Sequence, residues 1–147
     1  MKIFVLSRKG AEERIYGDWD YVISITDKLS PPANIRANHL LRLTFDDVLK
    51  YTRFGNWDLV PMSEYDAERV AKFAKSIPQG ATLYVHCEMG ISRSAGVAAA
   101  IALYFNGHDQ QFWGAPYRPN RTCYNLVLNK LKGVVWKPYG TAPFAGA

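Results

Sequence analysis

The segment Thr82-Leu83-Tyr84-Val85-His86-Cys87-Glu88-Met89-Gly90-Ile91-Ser92-Arg93-Ser94 places a strand, a tight loop and a helix start in succession. Thr82 to Val85 is β-branched, aliphatic and aromatic, and reads as a strand. From Arg93 to Asn106 the chain is rich in Ala and other small residues, the composition of a buried helix, and Gly107 fits its C-terminal cap. A tight turn between two such elements points successive backbone N–H groups inward. The helix start adds free N–H groups and the positive end of its dipole. Such a cradle suits a phosphate dianion. Gly90 permits the backbone conformation of the turn. Arg93 can grip two phosphate oxygens with its planar fork. Cys87 sits at the bottom of this positive field, which favours its thiolate form.

These parts support phosphoryl transfer without a metal. The thiolate of Cys87 attacks phosphorus in line, while the N–H ring and Arg93 hold the equatorial oxygens. A cysteinyl-phosphate forms and water hydrolyses it. The leaving oxygen needs a proton, so a carboxylic acid is expected at the mouth of the loop. The hydroxyl of Ser94 can donate to the sulfur and ease its departure. A lone cysteine is usually a small buried hydrophobe. Here His86, Cys87, Gly90, Arg93 and Ser94 coincide at fixed positions, an event on the order of 10⁻⁴ per chain of this length by chance.

His86-Cys87-x-x-Gly90-x-x-Arg93-Ser94 resembles the signature of the cysteine-dependent protein tyrosine and dual-specificity phosphatases, the small dual-specificity type. The resemblance extends from about Ile23 to Tyr104, through Ile23-Ser24-Ile25-Thr26-Asp27, Leu43-Thr44-Phe45-Asp46-Asp47 and a helix capped by Ser63. It implies a protein tyrosine phosphatase-like α/β fold, a central, mainly parallel sheet flanked by helices, and no cofactor. It implies Cys87 as nucleophile, Arg93 as the phosphate-binding arginine and His86 as a buried support. Glu88, Met89, Gly90, Ile91 and Ser92 would contribute mainly backbone N–H groups. The family's acid is an Asp on a loop after the preceding strand. Asp47 fits that strand-end pattern best, ahead of Asp46 and then Asp58. Its distance from Cys87 departs from the family's spacing and implies an insertion, assigned to Tyr51–Asp58. The aromatics of that insertion either wall the substrate pocket or pack down as a satellite core.

The other elements are read from the residues. Ile3–Leu6, Tyr21–Thr26 and Leu40–Phe45 read as strands, Gly10–Ile15 as a helical turn, and residues 48–61 as irregular. Ser63 caps a helix running to about Ile77, with Tyr65, Val70, Phe73, Ala74 and Ile77 as its apolar stripe. Pro78-Gln79-Gly80 stops it. A loop at 109–120 precedes a last helix from about Thr122 to Lys132, and Pro119-Asn120-Arg121 has the position of a loop bordering the site. Residues 133–147 read as a strap on the body or a frayed tail. His39 and His108 read as surface residues near turns. Cys123 reads as a buried thiol, with a reversible Cys87–Cys123 disulfide as the alternative.

The 147 residues favour a single domain, 1–147, large enough for a core without disulfide staples. With 48% apolar and 21% charged residues the composition is globular. The longest apolar run, Ala95–Phe105, is too short for a bilayer, and Met1–Ser7 has no signal-peptide pattern. Two cysteines, Cys87 and Cys123, lack zinc-ligand spacing, so no metal is expected. A cytoplasmic protein with no membrane partner is the expectation. The net charge of +5 lies entirely in residues 110–147, as Arg118, Arg121, Lys130, Lys132 and Lys137 without an acid. Their spacing suits a solvated helix face better than a nucleic-acid surface, so nucleic acid is not expected as a partner.

The expected substrate is phosphotyrosine in a phosphorylated protein or peptide, with phosphoserine and phosphothreonine as extensions. The same chemistry on an RNA 5′-phosphate, a phosphoinositide or a small-molecule phosphate is the alternative. A non-catalytic phosphate-binding module is the third reading, disfavoured because binding alone needs neither nucleophile nor acid.

Overall fold

Four parallel strands, in the order β1-β6-β2-β3, form the sheet of a computed structural model that describes residues 1–133. They are β1 (Lys2–Leu6), β2 (Asp20–Thr26), β3 (His39–Thr44) and β6 (Thr82–His86). β2 and β6 are buried at consecutive positions, Val22 to Thr26 and Leu83 to His86, as strands covered on both faces are. Alternation still sorts their side chains. Ile23, Ile25, Leu83 and Val85 face the larger core, whereas Val22 and Tyr84 face the smaller one.

The larger core lies under α2 (Glu64–Lys75), α3 (Arg93–Asn106) and α4 (Arg121–Lys132). The short α1 (Arg8–Glu13) contributes Ala11 to the other core. Ser63 caps α2 as expected, in a capping box with Asp66. The buried stripe of α2 is Ala67, Val70, Ala71 and Ala74. Tyr65, expected within it, is exposed. Positions 67, 70, 71 and 74 recur at three- and four-residue spacing, and their small side chains let α2 lie close to α4. In α3 every residue from Arg93 to Ala102 is buried, as its composition predicts.

Residues 48–61 are not irregular. Thr52–Phe54 (β4) and Trp57–Leu59 (β5) pair as an antiparallel hairpin. Gly55, with φ of 61°, and Asn56 supply its two-residue turn. Tyr51, Phe54 and Trp57 are exposed, so the satellite core did not form. Asp46 clasps the base of this excursion. Its N–H donates to the Val60 carbonyl at 2.7 Å, and its Oδ2 accepts from the Val60 N–H at 2.9 Å. His39 is half-buried in β3, stacked on Tyr21, a correction to its reading as a surface residue. Gly133 closes α4 in the left-handed conformation. The stretch read as strap or tail otherwise falls on 134–147, outside the described residues. Among the described residues no helix is long and apolar enough to cross a membrane.

Candidate active site

In a parallel sheet the carboxyl ends of the strands share one edge, and loops leaving that edge converge. Here the edge gathers Ser7 and Arg8 after β1, Asp27 after β2, Phe45 to Asp47 after β3, and Cys87 after β6. Gly90 sits in the loop from β6 to α3 with φ of 70°. A Cβ there would lie 2.7 Å from the Ser7 N and 2.8 Å from the Leu6 carbonyl carbon. Both the turn and the closeness of β1 therefore demand glycine.

The carbonyls of this loop are anchored outward. The Arg8 N–H donates to the Glu88 carbonyl at 3.1 Å, Arg118 N–H to Ile91 at 2.9 Å and Asn120 N–H to Ser92 at 2.9 Å. A trans peptide directs its C=O and N–H oppositely. The N–H groups of Met89, Ser92 and Arg93, which share those peptide units, therefore turn toward the loop interior. At the α3 N-cap a serine usually bonds the first helical N–H groups. Ser92 makes no such bond. Its hydroxyl donates instead to Asp47 Oδ1 at 2.9 Å, which leaves the helix start for an anion.

Cys87 lies at the centre, 2% exposed. Its Sγ accepts the Gly90 N–H at 3.3 Å and lies 3.0 Å from Ser94 Oγ. Both contacts suit a sulfur bearing negative charge. His86 is fully buried beneath it. Strand register sets His86 opposite Ser24, and its Nε2 lies 2.5 Å from Ser24 Oγ. Nδ1 lies 3.1 Å from the Cys87 carbonyl oxygen. A carbonyl only accepts, so Nδ1 carries the proton and Nε2 accepts from Ser24. Burial pushes the His86 pKa below its ordinary value, so the ring is a neutral brace for the peptide of the nucleophile.

Arg93 is 5% exposed. Its Nη1 donates to Asp27 Oδ1 at 2.6 Å and to the Phe45 carbonyl at 2.8 Å. The Nε–H is buried and has no acceptor among the described residues. With Nη1 held, the Nε–Nη2 edge is the one available for bidentate contact with two oxygens. A buried donor without a partner costs about 1–3 kcal/mol, which an anion at this edge would offset. Asp27 was within the stretch that carries the family resemblance, yet its contact with Arg93 was not foreseen. The available signal was an acid at the carboxyl end of a strand neighbouring the loop.

The three candidate acids separate clearly. Asp47 Oδ1 accepts from Ser92 Oγ and, also at 2.9 Å, from Asn120 Nδ2. Asp46 is buried and holds the hairpin base, with Oδ1 also accepting the Lys28 N–H at 3.3 Å. Asp58 lies on β5 and accepts from the Tyr51 hydroxyl. Only Asp47 of the three bonds to the loop that carries Cys87. Glu88 directs its carboxylate outward to Arg8 at 3.1 Å. Cys123 is buried and unpaired, and burial pushes its pKa up, so it is a protonated thiol. His108 is exposed, as expected.

Neither a known protein-family model nor a curated protein matches the chain.

Proposed function

We propose that this chain is a cysteine-dependent phosphatase with a protein tyrosine phosphatase-like fold, acting most readily on phosphotyrosine in proteins or peptides. One observation carries the reading. Cys87 Sγ, held by Gly90 and Ser94, shares the loop with a buried Arg93 whose Nε–H has no acceptor among the described residues. A structural cysteine needs no such neighbour, and a plain anion site needs no sulfur at its centre.

In the proposed reaction the Cys87 sulfur attacks phosphorus as the P–O bond to the leaving group breaks. The loop N–H groups and the Nε–Nη2 edge of Arg93 hold the three non-bridging oxygens. Asp47 delivers its proton to the departing oxygen. Water then attacks the cysteinyl-phosphate with Asp47 taking its proton, and the Ser94 hydroxyl donates to the leaving sulfur. Phosphate and the starting thiolate result.

The test is a comparison of kcat/KM on phosphotyrosine, phosphoserine and phosphothreonine peptides, phosphoinositides and 5′-triphosphorylated RNA. The highest value on phosphotyrosine peptides supports the reading. A preference for RNA or lipid retains the chemistry and moves the substrate class. Phosphate binding without turnover of any of them overturns the enzyme and leaves the binding module.

A further inference from the structure

We propose that Asn120 is a positioning residue for the acid step, fixing the Asp47 carboxyl over the Cys87 loop; this rests on the reading that Asp47 protonates the leaving group. Asn120 is 4% exposed, and its side-chain amide makes three of the four hydrogen bonds open to it. Its Oδ1 accepts the Cys123 N–H at 3.0 Å and so caps α4. Its Nδ2 donates to Asp47 Oδ1 at 2.9 Å and to the Val48 carbonyl at 3.3 Å. Its backbone N–H donates to the Ser92 carbonyl at 2.9 Å. One residue thereby joins three parts: the loop of the nucleophile, the segment of the acid and the start of α4.

The cap makes the placement rigid. A planar amide already held at Oδ1 by a helix has the directions of both Nδ2 hydrogens set, one toward Asp47 and one toward Val48. Thr122 Oγ1 extends the same seam by donating to the Leu49 carbonyl at 2.6 Å. On the other side, Gly96 lets the segment lie against α3, where a Cβ would stand 2.5 Å from the Asn120 carbonyl oxygen. The electronic consequence concerns the two oxygens of Asp47. Oδ1 accepts both the Asn120 amide and the Ser92 hydroxyl. Oδ2 accepts no hydrogen bond from the described residues, and it is the oxygen that carries the proton to be delivered. Asn120 and Ser92 thus select which oxygen is the acid and where it faces.

The variant for the test is Asn120→Ser, which keeps a good N-cap but withdraws the donor from Asp47. Wild type, Asn120→Ser, Asp47→Asn and the double variant are compared on phenyl phosphate and p-nitrophenyl phosphate, with thermal melts of each. The two esters are alike in size, but only the phenoxide leaving group needs a proton strongly. We expect Asn120→Ser to lose about 10- to 10²-fold in kcat/KM on phenyl phosphate and far less on p-nitrophenyl phosphate; kcat/KM reads the step that breaks the ester bond and not the later hydrolysis that both esters share. In the Asp47→Asn background the same change should add no further leaving-group-dependent loss. Equal loss on both esters, no loss, or a loss that multiplies with that of Asp47→Asn would overturn the proposal. If Asn120→Ser does not fold, Asn120→Asp is read by the same criteria, since it keeps shape and cap while replacing the donor. If Asp47→Asn itself shows no leaving-group dependence, the assignment of the acid has failed. If wild type turns over neither ester, the phosphatase reading has failed.

Discussion

Arg93 meets three demands with one planar group. Nη1 is tied to Asp27 and the Phe45 carbonyl, Nε is buried, and the remaining edge is directed by those ties. A lysine has one charged centre and cannot keep two ties while offering a two-pronged edge. Arg93→Lys should lower kcat/KM by about 10²-fold or more with little change in thermal stability; steady-state kinetics beside a melt separates the two. His86 is legible at the same scale through pH. Burial lowers its pKa in the folded chain below the ordinary 6.5. Above that value the ring is neutral in both folded and unfolded states. As pH falls, the unfolded chain takes the proton first, so stability is lost toward acid. His86→Gln should flatten the loss of Tm that wild type shows as pH falls below the ordinary histidine value of 6.5.

At the scale of elements, the succession of strand, loop and helix from β6 to α3 was legible, because Gly90 answers the local requirement of the turn and Gly107 that of the helix end. What surrounds the loop was not. The hairpin after Asp47 was signalled only by Gly55-Asn56 between aromatic residues, a short pattern inside a stretch without a long apolar period. The place of Pro119-Asn120-Arg121 beside the loop was the exception, read from its position and met by the bonds of Asn120 to Ser92 and Asp47, although the backbone bonds of Arg118 and Asn120 leave no trace in residue identity. Asp46 and Asp47 are adjacent acids that sequence alone ranks but does not separate. The fold gives one to the hairpin base and the other to the loop. Gly96 is the element-scale test of the seam. Gly96→Ala should destabilise by about 1–3 kcal/mol, seen as a lower Tm, and lower kcat because the displaced Asn120 no longer holds Ser92 and Asp47. Unchanged stability and activity would show that the seam yields without consequence.

For the whole molecule, α1 separates β1 from β2 and α2 lies between β3 and β6, while β2 reaches its parallel neighbour β3 through residues 27–38, which hold no helix; the strand order puts the loop of Cys87 between neighbours. β6 lies between β1 and β2. Gly90 can therefore rest on the end of β1, and His86 can reach Ser24 on β2. The basic quarter forms no dense run on the described part. Arg121 lies over the Trp113 ring, and Lys130 Nζ is 3.9 Å from Glu64, in keeping with a solvated helix face; Lys137 lies outside the described residues. The central claim is that Cys87 becomes covalently phosphorylated during turnover. The direct measurement is rapid acid quench of the protein during steady-state hydrolysis of a ³²P-labelled aryl phosphate, followed by peptide mapping. The account requires label on the peptide containing Cys87, formed and consumed at the rate of turnover and missing in Cys87→Ser. Turnover with no label on that peptide, or full activity in Cys87→Ser, would contradict it.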